Sequence, residues 1–332
     1  MKTKLTEMFG IEYPIVQSGM QWLAVPQLAA AVCNAGGIGT INVTCWPTLD
    51  EFADALDEMN SLTNKPYIVN ISLAPTQRLD NEEIRKTILE KSRVALTIET
   101  SAEDPREFIA DIKSAGMRHF HKCPNYKVSM SMERKGLDGV IIAGYEVGGH
   151  PSADGVGTFV IARRCAADMK IPVIAAGGVY TGEDIKKYMD LGASGVQMGT
   201  RFVATYECDA DDRFKQAYID AKQEDVTIIK SPVGMPGRAL VNNFIDSMRD
   251  GGKKPFKCIF HCVKTCEQEK TPYCIAAALI NAMKGNLERG FAFCGENVSR
   301  VNNIVSVHDL ISSLQREFDA IINKPAAATV KA

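Results

Sequence analysis

The sequence has no long apolar run. None of its hydrophobic stretches approaches the ~20 residues that a membrane-spanning helix needs. Its first ten residues, "MKTKLTEMFG", lack the apolar centre of a secretion signal. Net charge is only −2, from 38 basic and 40 acidic side chains dispersed along the chain, so there is neither a basic block for nucleic acid nor an acidic tail. No internal repeat is evident, and the one biased segment is the Ala-rich stretch after Pro325, expected to fray. Also missing is a dinucleotide fingerprint in its proper place. "NAGGIGT" (34–40) has the glycines, but they follow a predicted helix and precede a strand, the reverse of what that motif requires, so they read as a helix terminus. These absences lead to the expectation of a soluble, cytoplasmic protein that acts on a small molecule, without nucleic-acid or membrane partners. Homo-oligomerisation is left open.

What is present is 332 residues, 45% hydrophobic, enough for one large core or a barrel with an appendage. Short β-rich runs alternate with helical stretches. Strands are predicted at "PIVQ" (14–17), "IGTI" (38–41), "YIVN" (67–70), "VALT" (94–97), "HFHK" (119–122), "GVIIA" (139–143), "PVIAA" (172–176) and "GVQMG" (195–199). Helices are predicted near 25–34, 49–61, 81–91, 105–115, 127–135, 158–169 and 182–191, with a more ambiguous one at 211–223. Eight such units predict an α/β fold with a parallel sheet, closed into a (β/α)8 TIM barrel, with an open doubly wound sheet as the alternative. Beyond the eighth strand, 231–243 reads as a loop entering a helix and 253–274 as irregular or short-helical. Helices follow at 275–284 and 307–319, the last capped by Ser306. The expected organisation is a barrel over 1–245 and a mainly helical, Cys-rich C-terminal extension over 246–332 packing on it.

A barrel of this kind builds its site at the C-terminal ends of its strands. Those ends carry "QSGM" (17–20), Asn70, Lys122, "GYEVGGHPS" (144–152), "AAGGV" (175–179) and "QMGTRF" (197–202). Gly177, Gly178, Gly199 and Thr200 follow strands seven and eight, where glycine lets backbone N–H groups approach a phosphate; the bland reading is tight turns. "TGED" (181–184) fits a capping box that opens the adjoining helix. His150 follows two glycines at the end of strand six and lies on no apolar periodic face, so it is a candidate for chemistry; a turn residue bonded to backbone is the alternative. Glu146 reads either as a second acid or base or as a buried structural partner.

Ten cysteines suggest reduced thiols or a metal site, given no sign of secretion. Cys258, Cys262, Cys266 and Cys274 are spaced loosely for zinc or an iron–sulfur cluster, whose pairs are usually closer. The first three also match one face of a helix, where cysteine packs as a small apolar residue.

Taken in order, "YPIVQSGM", "KPYIVNISL", "FHKC", "DGVIIAGYEVGGHPS", "IPVIAAGGV" and "GASGVQMGTRF" resemble the nitronate monooxygenase family, formerly 2-nitropropane dioxygenases, which is related to the FMN-dependent enoyl-ACP reductases. The resemblance covers about residues 5–245. It implies a TIM barrel holding FMN, with Gly19 and Met20 against the flavin ring and Asn70 and Lys122 near it. Gly148 and Gly149 would approach the ring or its side chain. Gly177, Gly178, Gly199 and Thr200 would hold the phosphate, with Gln197 and Met198 alongside. His150 matches the family's active-site histidine. The chain departs from the family in reading "SGM" where "GGM" is common, and in its cysteine-rich segment. The activity implied is oxidation of alkyl nitronates with O2 to a carbonyl compound and nitrite. The alternative is an NAD(P)H-driven, FMN-dependent reductase of activated C=C bonds, in enoyl thioesters or enones, or of quinones.

Overall fold

The protein's structure, a computed structural model, describes residues 2–73, 79–91, 97–260, 262 and 266–323. A short helix α1 (Lys4–Phe9) precedes β1 (Ile15–Gln17). Helices and strands then alternate: α2 (Pro26–Asn34), β2 (Thr40–Asn42), α3 (Leu49–Leu62), β3 (Ile68–Ser72), α4 (Asn81–Lys91), β4 (Thr97–Ser101), α5 (Arg106–Ser114), β5 (Arg118–Cys123), α6 (Tyr126–Arg134), β6 (Gly139–Ala143), α7 (Thr158–Asp168), β7 (Val173–Ala176), α8 (Gly182–Asp190) and β8 (Gly195–Met198). The eight strands are parallel and pair in the order β1-β8-β7-β6-β5-β4-β3-β2. A parallel bridge between Val16 and Ile38 joins the two ends of that order. Ile38 N–H donates to the Ile15 carbonyl at 2.9 Å and Gln17 N–H to the Ile38 carbonyl at 2.8 Å, so the sheet closes into a (β/α)8 barrel.

Local chemistry sets these boundaries. Thr48 and Glu51 form a capping box that starts α3, and Thr181 with Asp184 forms the one expected from "TGED" at the start of α8. In the strands, alternate side chains face the barrel axis. Val16, Ile38, Ile68, Phe120, Ile141 and Ile174, with Leu5 from α1, pack into a fully apolar floor. Each such side chain removed from water contributes ~1.5–3 kcal/mol. Further along the same strands, toward their C-terminal ends, the inward positions turn polar. Helix α2 lies very close to the start of β2: a Cβ on Gly39 would stand 1.9 Å from the Ala29 carbonyl oxygen. Gly39→Ala is therefore expected to cost about 1–3 kcal/mol of stability. In urea unfolding this would appear as a lower midpoint with an unchanged slope.

The predicted strand 94–97 lies outside the described residues except for Thr97, which is in β4 (Thr97–Ser101). The structure departs from the sequence expectations in three places. After β8 come α9 (Thr200–Val203) and α10 (Asp212–Ile219), and then a hairpin of β9 (Val226–Lys230) and β10 (Pro236–Leu240), where a loop entering a helix was expected. The helix begins only after it, as α11 (Asn243–Met248). Cys258, Cys262 and Cys266 lie on irregular backbone, so the shared helix face does not exist. The last departure concerns α12 (Ile275–Met283) and α13 (Val307–Ile322). It is α13, and not the helix expected near 211–223, that fills the barrel wall between α8 and α2. Its Leu310, Ile311, Leu314 and Phe318 enter the main core, and its Glu317 accepts the Gly182 N–H at 2.7 Å. The hydroxyl of Ser306 caps it, accepting from Asp309 N–H at 3.0 Å, as expected. Among the described residues, no helix is long and apolar enough to cross a membrane.

Candidate active site

The polar inward positions meet on one carboxylate. Glu99, on β4, is completely buried. Its Oε1 accepts from Asn70 Nδ2 at 2.9 Å and pairs with Lys122 Nζ at 3.0 Å, while its Oε2 accepts from Gln197 Nε2 at 2.7 Å. Ser18 Oγ lies 3.4 Å from the Gln197 Oε1. The predicted residues Asn70, Lys122 and Gln197, from three different strands, are thus brought together by a fourth residue that the sequence reading missed. Gly19 lies against Asn70, with no room for a Cβ, which would stand 2.7 Å from the Asn70 side chain. Met20 closes over Gly199, where a Cβ would be 3.4 Å from its sulfur. Met198 follows Gln197 on the strand and so faces the opposite side. Its side chain belongs to the layer between sheet and helices, and only its carbonyl, which accepts from Ser18 N–H at 2.8 Å, reaches this end of the barrel.

A second group surrounds His150. After β6 the chain turns through Gly149, at φ 76°, a left-handed conformation that glycine adopts without strain. Arg238, on β10, clamps this turn: its N–H donates to the Gly149 carbonyl at 2.7 Å and its guanidinium to the Tyr145 carbonyl at 2.8 Å. Gly148 lies against the backbone of Cys294 and Gly295. His150 Nε2 stands 3.0 Å from the hydroxyl of Ser231, at the hairpin's turn, and the imidazole ring packs edge-on to Phe293 with centroids 5.2 Å apart. Burial lowers its pKa to about 4, so the ring is neutral at pH 7. Removing the Ser231 hydroxyl would loosen the ring by one hydrogen bond. Ser231→Ala is expected to lower turnover about tenfold with FMN affinity unchanged, which steady-state rates and a flavin titration would check.

A third group lies at the ends of β7 and β8. Gly177 and Gly178 take φ of 103° and 73°. Asn297 Nδ2 donates to the Gly178 carbonyl at 2.7 Å, and Gly295 N–H donates to the Thr200 hydroxyl at 2.8 Å. The C-terminal segment therefore touches both predicted phosphate loops. Glu146 is a structural partner: its carboxylate accepts the Thr158 N–H at 2.7 Å and so caps α7. The loop after β1 is covered by the cysteine-rich segment, through Trp22 against Phe260 at 6.4 Å and an apolar cluster that includes Cys262 and Cys274. Burial raises the pKa of both these thiols. Among the described residues, no three His, Cys, Asp or Glu side chains are grouped so as to hold a metal ion.

Ser231, Arg238, Gly295 and Asn297 were missed along with Glu99. Glu99 alone left a signal, a carboxylate among β-branched residues in "TIETS"; the others reach the site from far along the chain.

A profile of the nitronate monooxygenase family matches residues 2–317, nearly the whole chain. The chain belongs to the nitronate monooxygenase family. It is accordingly an FMN-type oxidoreductase. The chain is 34% identical over 253 residues, 76% of its length and 69% of the relative's, to the (3aS,4S,5R,7aS)-5-hydroxy-7a-methyl-1-oxo-octahydro-1H-indene-4-carboxyl-CoA dehydrogenase of Rhodococcus jostii (strain RHA1). It is 29% identical over 286 residues, 74% of its length and 80% of the relative's, to a probable nitronate monooxygenase of Staphylococcus aureus (strain Newman). The structure of FabK from Thermotoga maritima superposes with a TM-score of 0.85 at 30% identity, covering 98% of each chain.

Proposed function

We propose that this member of the family oxidises alkyl nitronates at FMN held in the barrel mouth, with O2 as co-substrate and a carbonyl compound and nitrite as products. The observation that carries the reading is His150: a half-buried, neutral imidazole beyond the C-terminal end of β6, oriented by Ser231 and Phe293. A neutral ring is able to take a proton from the carbon of a nitroalkane, or to donate N–H to a nitro oxygen. A cationic His150 is not part of the reading, because burial opposes it.

The donor set suits FMN. Asn70, Lys122 and Gln197 offer amides and one ammonium group, fitting the hydrogen-bonding edge of a flavin ring. Gly177 and Gly178, left-handed at the end of β7, and Gly199 and Thr200 after β8 would hold the phosphate, with Gly148 and Gly149 beside the ring or its side chain. Bound FMN would supply the two-electron chemistry; the chain would supply binding, orientation and charge.

The name of the Rhodococcus relative, a carboxyl-CoA dehydrogenase, favours a second reading, an oxidoreductase of CoA-thioester substrates; run as a reductase it would take NAD(P)H as the donor. Anaerobic stopped-flow of the FMN-loaded protein separates the two. Bleaching of the flavin by propyl-2-nitronate, with turnover once O2 is admitted, supports the nitronate reading. Bleaching by NADH or NADPH with no nitronate response sinks it and moves the search to enoyl thioesters, enones and quinones.

A further inference from the structure

We infer that Glu99 is a positioning residue that sets both the amide orientation and the charge balance at the flavin. The inference rests on the FMN reading above and adds a residue to it. Three donors converge on the Glu99 carboxylate: Asn70 at 2.9 Å and Lys122 at 3.0 Å from the flanking strands β3 and β5, and Gln197 at 2.7 Å from β8 across the barrel. A carboxylate only accepts. It therefore turns the NH2 end of Asn70 and of Gln197 toward itself and leaves the carbonyl end of each facing away. For Gln197 that carbonyl oxygen lies 3.4 Å from the Ser18 hydroxyl. Lys122 is held as an ammonium whose charge is matched, and of the pair it alone reaches solvent, its side chain being 23% exposed against 0% for Glu99.

A buried charge with no ligand to serve costs stability, since an apolar pair of similar volume would do as well or better. Here the charge sits above an apolar floor and beneath the mouth, and every one of its partners is a residue expected to bind FMN, Asn70 and Lys122 near the ring and Gln197 alongside the phosphate. Glu99→Gln keeps one acceptor oxygen and replaces the other by an NH2, which would face one of the two amide donors and force that amide to flip. It would also leave the Lys122 ammonium without its counter-charge. An extra positive charge favours the reduced, more anionic flavin over the oxidised form.

The test is the midpoint potential of the bound FMN, by anaerobic dye-linked titration, with its absorption spectrum and dissociation constant. Glu99→Gln is expected to raise the potential by about 30 mV, a tenfold shift in the ratio of affinities for reduced and oxidised flavin. Lys122→Gln should lower it by a similar amount, and the double variant should return close to wild type. A role confined to folding would not give opposite shifts that cancel. If Glu99→Gln does not fold, the Lys122→Gln shift still decides. Wild-type protein that binds FMN, with potentials unmoved in the variants, overturns the role of Glu99 alone. Wild-type protein that binds no FMN overturns the flavin reading and this inference with it.

Discussion

Replacing His150 by alanine is expected to lower turnover by about 10²–10⁴-fold, the range typical for a lost general acid or base, while the protein still binds FMN. Affinity survives because none of the hydrogen bonds around Glu99 or the β7 and β8 loops involves the imidazole. His150→Gln would separate the two tasks a neutral ring can perform. Glutamine keeps an N–H donor but is no base. If His150 removes the proton, the glutamine variant loses activity on a neutral nitroalkane and keeps it on the preformed nitronate; if it only donates to a nitro oxygen, both activities persist. The pH profile gives an independent check. With the pKa held down to about 4 by burial, the basic form persists through the neutral range, so the nitroalkane rate should stay level down to about pH 5 and fall below it. A fall centred near the ordinary histidine value of about 6.5 would show that the ring is not desolvated and would remove the basis of the assignment.

Much of the barrel was legible because its signals are local. The helix over 49–62 has its capping box within four residues, and the strand over 139–143 is a continuous apolar run bounded by turn residues. The glycines after strands six to eight stood out for the same reason. What the sequence hid depends on distant partners. Glu99 is 29 residues from Asn70 and 98 from Gln197, and its strand runs on to Ser101, past the end of the apolar run. The hairpin that presents Ser231 leaves Ile228 exposed and buries Arg238, and its two strands stabilise each other, so neither shows the usual alternation of a strand alone. The wall position of α13 was invisible because periodicity shows that a helix is amphipathic but not which cleft its apolar face enters. Here that cleft, between α8 and α2, lies more than 100 residues back along the chain.

Acidification from pH 6.5 to pH 4 is expected to destabilise the protein steeply, and the buried His119 and His121 with the half-buried His150 are the cause. Burial lowers His150 to about 4, His121 to about 4 and His119 to about 3. His121 and Lys113 add to the shift of His119; for His121, Asp104 opposes the shift and Lys135 adds to it. The last two rings lie on β5 and share one partner, the Thr100 hydroxyl, at 2.8 Å from His119 Nε2 and 2.9 Å from His121 Nδ1. One hydroxyl has one proton to give, so it donates to one ring and accepts from the other, an arrangement suited to two neutral imidazoles. In the unfolded chain each ring would titrate near 6.5. Between that value and the folded one, the unfolded state binds more protons, so unfolding free energy rises with pH. The stabilisation is complete above about pH 6.5 and is lost as pH falls toward 4. Each ring accounts for on the order of 3 kcal/mol, less for the coupled pair, against a typical total of only about 5–15 kcal/mol. The depressed carboxyl groups of Asp104 and Asp211 release their own contribution only at lower pH, so the two effects separate. Urea unfolding at intervals from pH 7 to pH 4 would measure the slope. His119→Gln should reduce it by about one proton, and a slope of zero across this window would mean that the three rings are hydrated in the folded protein.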